Sequence, residues 1–311
     1  MRVLVTGANG QLGHDICKEL NKRNIECVGT DIFLPKDATT LGLSKEFGTE
    51  ILQPSFYQCD ITSIIDVDSM FDSVRPDAVI HCAAWTAVDA AEDENNKSKV
   101  YSINVEGTRN LANACKKYKC KMMYISTDYV FDGDGTEPWQ PNCKDYAPLN
   151  YYGQTKLDGE LTVANTLDEY FIVRIAWVFG KNGNNFVKTM LKLAETHNEL
   201  RVVNDQIGTP TYTPDLARLL VDMIQTDKYG YYHATNKGGY ISWYDFACEI
   251  FKQANKDVKV IPVSTEEYGL SKAKRPFNSR LDKSKLIALG FKPLPAWQDA
   301  LSRYLAEGKS E

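Results

Sequence analysis

Several features that mark specialised proteins are scarce in this chain. It has 4 histidines in 311 residues. His14, His197 and His233 stand at no metal-ligand spacing from a cysteine or carboxylate, and His81, inside an apolar run, reads as a core histidine. The 8 cysteines, Cys17, Cys27, Cys59, Cys82, Cys115, Cys120, Cys143 and Cys248, include no C-x-x-C pair. They are too dilute for a stapled scaffold and read as buried free thiols of a reducing compartment. No run approaches the ~20 apolar residues of a membrane span, and Met1–Gly7 enters a glycine turn without the apolar core of a signal peptide. Charge of one sign is lacking too: 36 Lys+Arg against 41 Asp+Glu leave −5. A nucleic acid or an anionic membrane needs a concentrated basic face, so neither is expected as a partner. Repeats and low-complexity tracts are absent. These absences point to a cytoplasmic protein with a small-molecule partner.

What is present is an ordinary globular composition, 43% apolar and 25% charged, which excludes disordered, collagen-like and coiled-coil classes. The length suits two domains or one two-lobed unit. Strand-like runs at Arg2–Thr6, Ile25–Thr30, Phe56–Cys59, Ala78–Ala84, Met122–Ser126 and Phe171–Phe179 alternate with helical segments. Among the latter, Leu12, Ile16 and Leu20 make one apolar stripe, followed by Ile64–Val74, Val100–Tyr118, Thr155–Leu167 and Phe186–Thr196. Strands bounded by helices predict an α/β fold, a Rossmann-type doubly wound parallel sheet. Half of the 12 prolines lie at or beyond Pro210, so a smaller, mixed α/β lobe is expected there. Within it Ser242 caps a helix with Asp245 three residues on and Phe246, Ile250 and Phe251 on one face. The expected division is 1–180 plus 214–236 for the dinucleotide lobe, and 181–213 plus 237–311 for a discontinuous substrate lobe. The Phe33–Ser55 segment is the one long interruption of the first half, with a short helix expected over Leu41–Phe47.

Thr6-Gly7-Ala8-Asn9-Gly10-Gln11-Leu12-Gly13 joins the first strand to the first helix. Its G-x-x-G-x-x-G spacing lets backbone approach a pyrophosphate, whose charge the helix N-terminus stabilises. Asp31 ends the second strand, where a carboxylate accepts hydrogen bonds from an adenosine ribose and repels a 2′-phosphate; this favours NADH over NADPH. Asp60 and Ile61 follow the third strand, beside the adenine. Ala83, Ala84, Trp85 and Thr86 follow the fourth and line the dinucleotide. A second pattern lies in Tyr152-Gly153-Gln154-Thr155-Lys156, after the strand end Ser126-Thr127-Asp128. Tyr152 and Lys156, at i and i+4, share a helix face, so the ammonium lowers the phenol's pKa and readies it as a general acid or base. Thr127 holds a substrate oxygen against that phenol.

Together, the glycine turn, the Ser/Thr strand end and Tyr-x-x-x-Lys resemble the extended short-chain dehydrogenase/reductases, most of which act on nucleotide sugars. Further stretches are similar to that family's reductases of 4-keto-6-deoxyhexoses carried on dTDP: Ser126–Gly133, Pro148–Gly153, Arg174–Gly180, Asn184–Phe186, Asn204–Thr211 and Arg275–Asp282. The resemblance implies NADH or NADPH as reductant, with Gly7, Asn9, Gly10, Gln11, Leu12, Gly13, Asp31, Asp60, Ile61, Ala83, Ala84, Trp85, Thr86, Asn104, Ile125, Tyr152 and Lys156 about it. Tyr152 is then proton donor, Lys156 tunes it and holds the nicotinamide ribose, and Asn104 lies on a water path behind Lys156. Thr127, Asp128, Trp177, Asn185, Gln206, Arg275 and Arg280 face the nucleotide sugar, with Arg275 and Arg280 nearest its diphosphate. No motif supports Mg²⁺; Asp89–Glu94 reads as a solvated loop or helix start, although its acids could hold a divalent ion; homodimerisation stays open. Two departures stand out. The Phe33–Ser55 segment is longer than the family carries, and Trp85 replaces a common histidine. A nucleotide-sugar epimerase or dehydratase, or a non-catalytic dinucleotide-binding regulator, shares the same scaffold; a dehydratase usually has Asp-Glu where this chain has Asp128-Tyr129.

Overall fold

The computed structural model describes residues 1–34 and 56–307. Seven parallel strands form the central sheet: β1 (Arg2–Thr6), β2 (Glu26–Asp31), β3 (Phe56–Gln58), β4 (Ala78–His81), β5 (Lys121–Thr127), β6 (Tyr170–Ile175) and, after four short strands described below, β11 (Gly230–His233). Their order is β11-β6-β5-β4-β1-β2-β3. The chain winds outward from β1 to β3, then crosses back to β4 and winds the other way. Beside β1 the strand ends therefore diverge and leave a crevice at their C-terminal edge.

Side-chain alternation explains why this sheet is covered on both faces. Val3 and Val5 enter one core with Ile80, Met123 and Val173, while Leu4 enters the other with Val79, Met122 and Ile172. All of these are fully buried, each stabilising the fold by roughly 1.5–3 kcal/mol relative to exposure. Helices α1 (Gln11–Lys22) and α8 (Thr213–Ile224) cover the first face. Helices α2 (Ile64–Val74), α5 (Thr108–Tyr118) and α6 (Tyr151–Thr166) cover the second, with the short α3 (Val88–Ala91) and α4 (Glu94–Tyr101) between α2 and α5 in the chain. His81 is a neutral core residue: its ring nitrogens bond Thr6 Oγ1 at 2.7 Å and Thr108 Oγ1 at 3.1 Å. Burial, with Lys156 nearby, pushes its pKa down to about 3.

A separate core built on Phe179, Val187, Met190, Val202, Tyr212, Phe246, Ile250 and Trp297 holds the other lobe. It comprises β7 (Val178–Phe179), α7 (Phe186–Leu193), β8 (Glu199–Val203), β9 (Ile207–Gly208), β10 (Thr211–Tyr212), β12 (Ile241–Ser242), α9 (Trp243–Ala254), β13 (Lys259–Val263), α10 (Thr265–Tyr268) and α12 (Trp297–Glu307), while α11 (Ser284–Ala288) packs back on the sheet. The capping box expected at Ser242 and Asp245 is formed.

Among the boundaries that differ from the sequence expectation, α6 begins at Tyr151 instead of Thr155, α7 ends at Leu193 instead of Thr196, and three others have a tertiary cause. The run Phe171–Phe179 breaks after Ile175, because Thr211 captures the carbonyls of Ala176 and Trp177 and draws Val178–Phe179 into a pair with β10. Trp177 turns left-handed there, at φ 51°. Strand β4 stops at His81 because Asn104 binds the backbone of Trp85 and bends the following loop away. The helix expected from Val100 starts at Glu94 and contains a π-helical stretch, Ser102–Gly107, carrying Asn104. The expected Leu41–Phe47 helix lies outside the described residues.

Candidate active site

One cleft of about 770 Å³ runs along the C-terminal edge of the sheet, lined at one end by Gly7, Gly10, Gln11, Leu12, Gly13 and Asp31 and at the other by Thr127, Tyr152 and Trp177. At the first end Gly7 is left-handed, with φ 67°. A Cβ on it would stand 2.7 Å from the Ala83 nitrogen, so only glycine admits the loop after β4 so close. Gly10 begins α1 with no side-chain cap. The first N–H groups of this helix thus remain available to an anion in the cleft. Asp31 fastens this turn: its carboxylate accepts from Asn9 N at 3.1 Å and Ile32 N at 2.8 Å, while Asn9 Nδ2 donates to the Phe33 carbonyl. Burial raises the Asp31 pKa against those backbone donors. Asp60, Ile61, Ala83, Ala84, Thr86 and Ile125 complete the lining that the sequence predicted.

At the other end the Asn150 side chain accepts from Gly153 N at 2.8 Å, so α6 starts at Tyr151 and presents the half-buried Tyr152 and the buried Lys156 on one face. The Tyr129 ring meets Tyr152 edge-on, with centroids 5.8 Å apart. Lys156 Nζ donates to the Ile125 carbonyl at 2.7 Å and lies over the Tyr124 ring. Burial lowers its pKa to about 7, against the opposing charge of Glu160. The phenol of Tyr152 departs from the sequence expectation. Burial, reinforced by Asp128, raises its pKa while Thr127 pulls the other way, and the tyrosine is held protonated. Desolvation outweighs the ammonium because Lys156 turns to a backbone carbonyl.

Thr127 Oγ1 donates to Asp128 Oδ1 at 2.9 Å. Burial pushes the Asp128 carboxyl up to about 6. Ser126 Oγ and Asp128 Oδ2 are buried with no hydrogen-bond partner, yet both residues line the cleft. Unpartnered buried polar atoms on a cleft wall fit a site built for a polar ligand. Trp177 stacks on Trp243 with centroids 3.7 Å apart.

Other expected site residues stand back from the wall. Asn9 acts through Asp31. Trp85 points outward, with Nε1 donating to Ala87 O, and Asn104 holds the Trp85 loop to Thr155 on α6. Asn185 caps α7 and donates to Gln11 Oε1; Gln206 donates to Thr265 Oγ1. Arg275 is paired with Asp89 at 2.7 Å, and Arg280 donates to Asn278 Oδ1. Asp89 therefore forms an ion pair that compensates the charge of Arg275, while the run keeps its expected character of a solvated helix start, with Asp93 and Glu94 exposed at the N-terminus of α4. Asp93 is likewise paired with Lys272. Among the described residues no three His, Cys, Asp or Glu side chains cluster to hold a metal ion, and no helix is long and apolar enough to cross a membrane. All eight cysteines are free. The cleft also contains residues that sequence reasoning did not assign to it, notably Val88, Tyr129, Asn184 and Trp243. Trp243 follows the capping residue Ser242, and a large aromatic in a first helical turn was its one available signal.

Residues 1–310 match the family model described as the RmlD substrate binding domain. A dTDP-4-dehydrorhamnose reductase of Aggregatibacter actinomycetemcomitans is 38% identical, over 98% of each chain. The spore coat polysaccharide biosynthesis protein SpsK of Bacillus subtilis is also 38% identical, over 99% of this chain and 98% of its own. Among solved structures, dTDP-4-dehydrorhamnose reductase of Bacillus anthracis in complex with NADP superimposes with a TM-score of 0.84, at 40% identity over 98% of this chain and 99% of that one.

Proposed function

The chain belongs to the RmlD substrate-binding-domain family, which includes dTDP-4-dehydrorhamnose reductases, and on that premise we propose how its residues divide the reaction between them. It is an NAD(P)H-dependent oxidoreductase that reduces the 4-keto group of a dTDP-6-deoxyhexose, dTDP-4-dehydro-L-rhamnose to dTDP-L-rhamnose, in rhamnose and polysaccharide synthesis. One observation carries the residue roles: the glycine turn and the Thr127, Tyr152 and Lys156 side chains open into a single cleft.

The residues present fit a dinucleotide. Gly7 and Gly13 let the turn pack against backbone that any Cβ would strike, which draws the loop after β4 and the start of α1 together around the cleft, the α1 N-terminus is uncapped, and Asp31 stands at the ribose position. When bound, NAD(P)H supplies the hydride that reaches the ketone carbon. Thr127, its hydroxyl turned from Asp128 to the substrate, holds the ketone oxygen, and Tyr152, protonated at neutral pH, gives it the proton. Lys156 stabilises the phenolate left behind and holds the nicotinamide ribose. Asp128 orients the sugar beside them, and Trp177 gives it an apolar wall. Asp31 makes NADH the preferred reductant. The division into 1–180 with 214–236 for the dinucleotide lobe and the remainder for the substrate lobe is supported by the return of β11 to the sheet beside β6, with two exceptions: β7 belongs with the substrate-lobe core and α11 with the sheet. Free thiols and a reduced nicotinamide reductant support a cytoplasmic setting. The test is spectrophotometric: purified protein, dTDP-4-dehydro-L-rhamnose, and NADH or NADPH in parallel. Substrate-dependent oxidation, faster with NADH, is expected; absence of oxidation with either would remove the assignment.

A further inference from the structure

The most deeply buried charges of the described residues lie behind the cleft. Arg174 on β6 and Glu160 on α6 are both fully buried. The carboxylate accepts from Arg174 Nε at 2.8 Å and from Nη2 at 2.7 Å. Arg174 Nη1 also donates to the Pro141 carbonyl and Nη2 to Tyr146 Oη, while Phe131, Tyr146 and Tyr231 surround the guanidinium at 4.9 to 5.3 Å. Apolar side chains of similar volume would hold such a place at least as stably, because a buried ion pair gives up two hydration shells. Its location is more informative. Glu160 follows Lys156 by one helical turn and Tyr152 by two, on the same buried face. Arg174 pairs in register with Ser126 and stands next to Ile175, which lines the cleft. Through Pro141 and Tyr146 it also holds the loop that follows Asp128.

We propose that Glu160, clamped by Arg174, is a positioning residue for the proton relay: the pair fixes α6 against β6 and sets the carboxylate one turn behind Lys156. The inference rests on the reading of Tyr152 and Lys156 given above. Around Lys156 stand Tyr152 and Glu160 from α6, Tyr124 from β5, His81 and Cys82 at the end of β4, and Asp128 across the cleft beside Tyr152. Burial keeps Tyr124 and Cys82 protonated and His81 neutral. Glu160, ion-paired to Arg174, is thus the carboxylate that opposes desolvation of the ammonium from its own helix.

The pH profile of kcat/KM for NADH-dependent reduction tests this in wild type, Glu160→Gln and Glu160→Asp. Activity requires Lys156 charged, so it falls as pH rises through the lysine's pKa. Loss of the neighbouring negative charge lowers that pKa. Glu160→Gln is therefore expected to move the alkaline limb to lower pH by about one unit, a loss of about tenfold above the limb, and Glu160→Asp to return it. If Glu160→Gln does not fold, the paired variant Glu160→Met with Arg174→Met, which leaves no unpaired buried charge, is expected to move the limb in the same direction by less than one unit, because the opposing guanidinium leaves with the carboxylate. A uniform, pH-independent drop in the variants overturns the inference while leaving Lys156 in its role. Near-normal turnover in Lys156→Met overturns that role and the inference with it.

Discussion

Replacing Gly13 with alanine tests the dinucleotide end of the cleft with one methyl group. A Cβ at this position would stand 2.8 Å from the Gly7 carbonyl carbon and 3.0 Å from Ala8 Cα, with the Gly7 oxygen closer still. Carbon pairs rest at about 3.5–4.0 Å, so the start of α1 and the glycine turn must part by roughly 0.7 Å or more. Neither side yields easily. The helix is anchored through Leu12, Ile16 and Leu20 in the core it shares with α8, and the turn is held by Ala8 N to Thr30 O and by Asn9 to Asp31. Overpacking of this kind costs about 1–3 kcal/mol. Part of that cost destabilises the fold, lowering the melting temperature by a few degrees. The rest displaces the α1 N–H groups from the pyrophosphate, and since each 1.4 kcal/mol is tenfold, a remainder of about 1–1.5 kcal/mol should weaken NADH binding by about tenfold. Fluorescence titration with NADH and a thermal melt read the two parts. Gly10→Ala, whose Cβ meets only the Gly7 oxygen at 3.0 Å, should lose less. Wild-type affinity and melting temperature in Gly13→Ala would refute the close-approach argument.

Other consequences follow from the same geometry. Tyr152→Phe removes the proton donor and keeps the ring against Tyr129; turnover should fall by about 10²–10⁴-fold while NADH affinity measured by titration is unchanged, and near-normal turnover would contradict the donor role. Asp31→Asn removes the charge that repels a 2′-phosphate, so the ratio of kcat/KM for NADPH to that for NADH should rise about tenfold; an unchanged ratio would mean the carboxylate only fastens the turn. Asp128 is a carboxyl whose folded pKa is raised from 3.8 to about 6, so the folded state binds the extra proton and the wild type loses stability as pH climbs from 4 to 7. Asp128→Asn, free of that titration, should gain about 2–3 kcal/mol relative to wild type over the same interval; urea unfolding at both ends of the interval measures it, and a constant difference would contradict the desolvated carboxyl.

Local geometry made the two functional ends legible in the sequence. Glycine spacing dictates how closely a turn approaches its neighbour, alternation dictates which face of a strand is buried, and i, i+4 spacing puts Tyr152 and Lys156 on one side of a helix. These depend on residues within a turn or two of each other, so the doubly wound sheet, the glycine turn and the Tyr/Lys pair follow from reading the chain alone. Relations between distant residues were not available to that reading. Asp89 and Arg275, 186 positions apart, form an ion pair that takes a cation expected at a diphosphate. Asn104 turns Trp85 outward, Thr211 breaks a strand that its β-branched residues would have continued, and Trp243 arrives from a helix of the other lobe to stack on Trp177. The protonation of Tyr152 was decided the same way. The sequence by itself determined that a phenol and an ammonium share a helix face; the tertiary structure decided, through burial and a backbone carbonyl for the lysine, that desolvation outweighs their attraction. Partners that stabilise or neutralise a charge are chosen by proximity in space, which chain order does not encode.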